Sequence, residues 1–298
     1  MGTNCCVVKR LLLNLAVSLA LFIVAASGRA EPARIAATTA DVAAWNLAGF
    51  NPIPREKISP FVRAISDLDP EVIALVEVNP DWIAGELVAE LIGSDNCYKR
   101  IILNQTARQN IAILHKCEVK VTNPRLIAGS DDGNSALRKA LAADVKIGEF
   151  DFMVVAVHMK ASRSSSDRQI RDNQAKAIAT FIQAATSGSE KDVLVIGDYN
   201  MIPVEDQSNF DAMSPSNFLN FISSADLASQ FSHISSSGPG NLLDGYAISK
   251  DHTSEYIAGS LRIFPLHRTF GLSLSDFRNQ VTDHLPLTAE FRITRDDD

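Results

Sequence analysis

Five short stretches place polar, chemistry-bearing side chains where apolar runs stop. They are Trp45-Asn46-Leu47, Leu75-Val76-Glu77-Val78, Val157-His158-Met159-Lys160, Gly197-Asp198-Tyr199-Asn200, and Thr282-Asp283-His284 with Leu243-Asp244-Gly245 upstream of it. Buried strands do not normally end on Asn, Glu, His or Asp unless these reach a site or cap a turn. Glu77 interrupts an apolar run, so its carboxylate needs a partner: a cation, or a nearby Arg or Lys. Asp198 and Asn200 are two apart and share a side if the strand continues, where they can hold and polarise a water; an Asx turn would use the same pair locally. His284 can pair with Asp244 or Asp283, and a carboxylate neighbour favours the imidazolium, a form suited to developing phosphate charge. His158, at a strand end, is either a site imidazole or a satisfied structural one.

These residues need elements to carry them. Alternation and apolar runs predict strands over 41–47, 71–76, 98–103, 110–115, 120–127, 141–147, 152–157, 192–196, 241–249, 260–266 and 286–294. Helical spacing predicts helices over 54–67, 81–92 and 168–185, the last capped by Asp167 after a Ser-rich loop at 161–167. Residues 209–228 read as helix and loop. Many strands with few interspersed helices suggest two packed sheets flanked by helices.

The N-terminus reads differently. Lys9 and Arg10 precede an apolar run from Leu11 to Ala26, followed by small residues, which is the pattern of a cleaved signal peptide over 1–30 and implies a periplasmic or secreted protein. An uncleaved anchor is the alternative. Residues 31–298 then make a single catalytic domain. Of the four cysteines, Cys5 and Cys6 leave with the peptide, while Cys97 and Cys117 flank two strand-like runs. A hairpin turning near Thr106–Ala107 sets them opposite each other, and an oxidising compartment predicts a disulfide. The chain carries a net charge of −7, and residues 1–30 hold three basic residues and no acid, leaving −10. That argues against tight nonspecific polyanion binding, though not against a locally positive site.

Taken in order, WNL, LVEV, VHMK, GDYN, LLDGYAIS and TDHLPL resemble the endonuclease/exonuclease/phosphatase superfamily, the family of deoxyribonuclease I, from about residue 41 to 292. The resemblance implies an α/β (α+β) four-layer sandwich, with two packed, mostly antiparallel sheets between helices. It implies that Glu77 is the main metal ligand, with Asn46 beside it and Asp283 near the metal. Asp198 would orient or deprotonate the attacking water, and Asn200 would help hold the phosphate. His284, paired with Asp244, would contact the scissile phosphate, and His158 would be a second phosphate-facing imidazole. Arg138, Lys160 and Arg163 are expected to bind substrate, among basic residues that include Arg108, Lys139 and Arg168. Two departures stand out: Thr282 replaces the usual Ser, and Gly245 and Ala247 replace bulkier residues beside Asp244.

Oxygen donors of this kind suit Mg²⁺, with Mn²⁺ or Ca²⁺ as substitutes, and the lack of a tight His/Cys cluster disfavours zinc. The expected protein is therefore a monomeric, exported Mg²⁺-dependent phosphodiesterase acting on nucleic acid by direct water attack, with no stable membrane partner after signal removal. A phospholipid, sphingomyelin or small phosphoester at the same site is the alternative, and a non-catalytic binding member is a third.

Overall fold

Alternating small and β-branched residues from Thr39 to Asn46 form a strand whose even-numbered side chains face one way and whose odd-numbered ones face the other. The computed structural model describes residues 37–296, apart from 95 and 189; the expected signal segment lies outside these residues. After that strand (β1) come α1 (Ile58–Leu68), β2 (Val72–Val78) and α2 (Trp82–Gly93). Strands β3 (Tyr98–Ile102), β4 (Asn110–Lys116), β5 (Lys120–Leu126), β6 (Leu141–Ile147) and β7 (Phe150–His158) follow. The chain continues through α3 (Ser165–Ala185), β8 (Val193–Asp198), α4 (Gln207–Met213), β9 (Leu219–Asn220) and α5 (Ile222–Asp226). A small hairpin, β10 (Ile234–Ser235) and β11 (Gly238–Pro239), precedes β12 (Asp244–Ser249), β13 (Arg262–Ile263), α6 (Leu266–Thr269), α7 (Leu274–Gln280) and β14 (Leu287–Arg292).

Two six-stranded sheets result, ordered β13-β14-β1-β2-β4-β3 and β5-β6-β7-β8-β12-β9. Each has one parallel pair at its centre, β1–β2 and β7–β8, and antiparallel neighbours elsewhere. Those parallel pairs need crossovers, which α1 and α3 supply. Val42, Ala44, Val72 and Val76 of one sheet pack against Phe152, Val154, Leu194 and Ile196 of the other, forming the central core. The opposite face of the first sheet (Ala43, Trp45, Ile73, Leu75) packs on α1, α2 and α7. The outer face of the second (Val155, Val157, Val193, Val195) packs on α3 and α4. This is the expected four-layer sandwich.

Several boundaries differ from the sequence reading. The helix expected from Arg168 begins at Ser165, because Ser164 is extended and its hydroxyl accepts from the Asp167 N–H at 3.1 Å. Asp167 thus belongs to the first turn, where its charge favours the helix N-terminus. The strand expected over 260–266 shrinks to Arg262–Ile263 before Pro265 and the turn of α6. Helix α7 is unforeseen, although Ser273, whose hydroxyl accepts from the Asp276 N–H, marks its start. The expected disulfide is present: Cys97 and Cys117 are bonded with Cα atoms 5.4 Å apart, at the end of the β3–β4 hairpin.

Candidate active site

Inward alternation explains how the site assembles. Val42, Ala44 and Asn46 point between the sheets, as do Val154, Ala156 and His158, and Leu194, Ile196 and Asp198. Asp244 begins β12 opposite Asp198, two residues before the inward Tyr246. Each polar residue therefore continues an inward row past the last apolar side chain, and all reach the same end of the sandwich. Glu77 is out of phase, since Val76 already points inward. A register shift between Leu75 and Val78, with Glu77 at φ 57°, turns its side chain back toward the others. Gly49 makes room for this bulge: a Cβ there would lie 1.9 Å from the Glu77 carbonyl oxygen.

Ligand atoms of Glu77, His158 and Asp198 lie within 4.8 Å of one another, and so do those of Asp198, Asp244 and His284. Asp198 is shared, so the two groups form one cluster. His158 Nε2 is 3.4 Å from Glu77 Oε1 and 3.7 Å from Asp198 Oδ2. Asp198 accepts from the Asn200 N–H at 2.9 Å and from Asn46 Nδ2 at 2.9 Å. His284 Nδ1 meets Asp244 Oδ2 at 2.7 Å, leaving Nε2 4.0 Å from Asp198. Trp45 Nε1 donates to the His284 carbonyl, and Thr282 Oγ1 donates to the Asn46 carbonyl, both at 2.9 Å. Thr282 thus keeps the hydroxyl that a Ser would offer. The Gly245 departure is also accounted for. A Cβ at Gly245 would fall 2.1 Å from the Tyr199 ring, which fills the space a bulkier residue would take.

Burial dominates the electrostatics. It raises the Glu77 carboxyl above its usual range, against opposing contributions from Asn46 and His284. It pushes Asp198, beside Asp244, up to about 7. It holds His158 well below the ordinary imidazole range, with Arg138 adding to the effect, so His158 is neutral. Burial opposes charge on His284 too, but Asp244 outweighs it and brings His284 up to about 10. The result is a neutral imidazole, an imidazolium and two carboxylates whose desolvation is incompletely offset, and such oxygens could hold a hard cation. Glu77, with 16% of its side chain exposed, is the most open of these donors. The buried His158 Nδ1 has no hydrogen-bond partner among the described residues.

Other expected residues take different places. Asn46 turns its carboxamide oxygen to the Ala48 N–H at 2.8 Å, so it meets Glu77 as a donor rather than as an oxygen ligand. Asp283 lies close enough for its charge to act on Glu77 and His284, but its carboxylate is not among the atoms that converge in the cluster. Asp283 sits at a bend next to the His233–His284 bridge. Asp283 instead pairs with Arg278 at 3.1 Å and lies 3.9 Å from His233. Arg138 is buried and donates from Nε and Nη2 to the His158 and Met159 carbonyls, both at 2.8 Å. It buttresses the end of β7 instead of presenting its guanidinium to substrate. Lys160 is held by Asp167 at 2.9 Å. Arg163 is held by Asp206 at 2.7 Å and reaches the Asn200 carbonyl at 3.3 Å. Asn200 itself donates to the Met159 carbonyl. His233, missed in the sequence, lies with its ring tilted 5.0 Å from that of His284 at the edge of the site; no local pattern marks it, because tertiary contacts bring its loop there.

A model of the Endonuclease/Exonuclease/phosphatase family matches residues 43–263. The chain is similar to a Danio rerio TDP2 solved with a single-strand DNA product, at 14% identity over 86% of this chain and 100% of that one, with a TM-score of 0.65. It is also similar to the human Nocturnin catalytic domain with bound sulfate, at 19% identity over 85% and 94%, with a TM-score of 0.61. A Bacteroides thetaiotaomicron mannosyl-6-phosphatase matches at 13% identity over 84% and 98%, with a TM-score of 0.61. Identities this low speak for the fold alone. Among curated proteins none matches.

Proposed function

Because the chain belongs to the endonuclease/exonuclease/phosphatase family, we propose that it is a divalent-cation-dependent phosphodiesterase that hydrolyses nucleic acid by direct attack of water. The observation that carries this reading is the single cluster in which Glu77, His158, Asp198, Asp244 and His284 converge. Glu77 would hold the cation, and Mg²⁺ suits such a sparse oxygen set because it keeps several waters. When bound, the cation supplies charge neutralisation to the phosphate. The protein supplies the rest. Asp198 accepts the proton of the attacking water, and a carboxyl near neutrality suits a general base. Asn46 and the Asn200 N–H fix both oxygens of Asp198 in place. His284, kept protonated by Asp244, donates to a phosphate oxygen as charge develops. His158, neutral and packed between the two carboxylates, spaces them and offers one ring nitrogen inward. No Ser or Cys nucleophile takes part, so no covalent intermediate forms.

Nucleic acid is favoured as substrate by the TDP2 relative solved with a DNA product. A phosphomonoester or phospholipid is the second reading, supported by the acidic net charge and the sugar-phosphate phosphatase relative. Export to the periplasm or medium belongs to the proposal as well. The apolar segment 11–26 and the Cys97–Cys117 disulfide support it. No helix among the described residues is long and apolar enough to cross a membrane. The deciding test is purified protein with Mg²⁺, Mn²⁺ or Ca²⁺ against plasmid DNA, RNA, sphingomyelin, a sugar phosphate and a chromogenic phosphodiester. EDTA, Glu77→Ala and Asp198→Asn should each abolish turnover of the best substrate. Full activity in Asp198→Asn would remove the proposed base.

A further inference from the structure

Two aromatic rings stand in water on the Glu77 side of the cluster, each capped by an arginine. Phe50 is 64% exposed, with the Arg108 guanidinium 4.5 Å above its ring. Trp82 is 39% exposed, with Arg55 4.4 Å above its ring. The two pairs come from three segments far apart in sequence but tied together. Asn79 Nδ2 donates to the Gly49 carbonyl at 2.9 Å, and the Ile53 N–H donates to the Asn79 carbonyl at 2.7 Å. Asn110 Nδ2 reaches Asp81 at 3.3 Å.

These segments join the cluster directly. Gly49 packs against the Glu77 carbonyl, and Phe50 is the next residue. Gln109 accepts from Arg138 Nη1 at 3.5 Å, and Arg138 braces His158; Arg108 is the residue before. Arg55 spends part of its charge on Glu86 at 3.4 Å. For the Arg108 guanidinium, the Phe50 ring is the one partner among the described residues.

Resting on the phosphodiesterase reading above, we infer that this surface binds a single strand of nucleic acid, with Phe50 as a stacking platform for a base on the Glu77 side of the scissile phosphate and Arg108 as partner to its backbone phosphate. An exposed ring accepts the face of any base, and a guanidinium adds both a stacked plane and a positive charge. In a duplex those base faces are already stacked, so the surface selects unpaired strands. A lipid surface is the weaker fit. Membrane insertion needs a continuous apolar patch, whereas each ring here is covered on one face by a cation.

The test measures binding of short labelled oligothymidine, oligouridine and a DNA duplex by anisotropy in EDTA. Vesicles of phosphatidylglycerol and phosphatidylcholine serve as a separate arm. In the parent, at least one single strand should bind more tightly than the duplex, and the two oligomers separate DNA from RNA. Phe50→Ala and Arg108→Ala should each weaken that binding about tenfold, while Phe50→Tyr retains it. With metal, the ratio of kcat/KM for the oligomer to that for a chromogenic diester should fall by a similar factor in Phe50→Ala. Single-strand binding unchanged in both alanine variants overturns the inference, as does vesicle binding that depends on Phe50 without any oligomer binding. If diester hydrolysis persists while oligomer binding ignores Phe50, the stacking surface falls and the phosphodiesterase reading stands. If the parent hydrolyses no diester yet binds strands through Phe50, the reverse holds.

Discussion

The Asp244–His284 contact sets the charge of the one imidazole here that is held protonated. Burial alone would discharge His284; Asp244 overcomes that and carries it up to about 10, so it stays an imidazolium throughout the neutral range. Asp244→Asn removes the opposing charge, and the folded-state pKa of His284 must then fall. We expect turnover at pH 8 to drop by about 10²-fold or more. We also expect the His284 ring protons, followed by NMR, to titrate at lower pH than in the parent; an unshifted titration would refute the pairing. A second expectation concerns the carboxylates. Glu77 and Asp198 are both raised by burial, Asp198 to about 7, so protonation of the cluster competes with a cation at Glu77. Below that pH the competition is present, and above it the competition is gone. Mg²⁺ affinity should therefore rise with pH from 6 to 8. Calorimetry in buffers of different ionisation enthalpy should show protons released on binding, and identical heats in all buffers would count against the site. Most of these groups were legible in the sequence because each sits one alternation step beyond an inward apolar residue: Ala44 before Asn46, Ala156 before His158, Ile196 before Asp198. What stayed hidden was which atoms face which. Asn46 as donor, Asp283 turned to Arg278 and Arg138 spent on two carbonyls depend on tertiary contacts that no spacing encodes.

At the scale of elements, the site depends on how β8 and β12 pack at their shared end. Asp198 and Asp244 are register partners, and Gly197 and Gly245 are the next pair. Gly197 has φ 131°, and a Cβ there would meet the Val157 carbonyl oxygen at 2.1 Å, so β7 and β8 approach closely beneath His158. Gly245 leaves room for the Tyr199 ring, whose hydroxyl donates to the Val195 carbonyl at 2.6 Å. Gly245→Ala should therefore overpack this corner and cost about 1–3 kcal/mol, read by denaturant unfolding. It should also reduce turnover by displacing Asp244. Because Tyr199 is the obstacle, Tyr199→Leu in the same chain should return part of both losses; a strictly additive double variant would show that the clash lies elsewhere. The strand and helix order was readable from periodicity nearly throughout. The exceptions have local causes. Pro265 and the turn of α6 truncate the expected strand at 260–266, and α7 is only two turns long with a mixed pattern, so its Ser273 cap was its clearest mark. Sheet order was not readable, because the pairing of β14 with β1 joins residues hundreds apart. The Phe50 and Trp82 surface has no local mark for the same reason: its aromatics come from segments far apart in sequence.

For the whole molecule, chemistry and covalent reinforcement sit at opposite ends of the first sheet. Glu77 lies near the Val78–Asn110 end of the β2–β4 pair, while the disulfide closes the hairpin beyond the Val72–His115 end. A strand of this length spans about 20 Å, so the bridge has no direct route to the cluster. Its contribution should be to stability alone. Cross-linking residues 20 apart in sequence restricts the unfolded chain, and a loop of that size is worth about 3 kcal/mol in the chain-entropy account. Cys97→Ser/Cys117→Ser should accordingly lower Tm by about 6–12 °C, and reduction of the parent should do the same. Hydrolysis of a chromogenic diester at 25 °C, well below the transition, should be retained by the double variant. A double variant with unaltered Tm would mean that the packed β3–β4 edge needs no such restraint. Lost turnover with full stability would mean that the far edge of the sheet is mechanically coupled to Glu77.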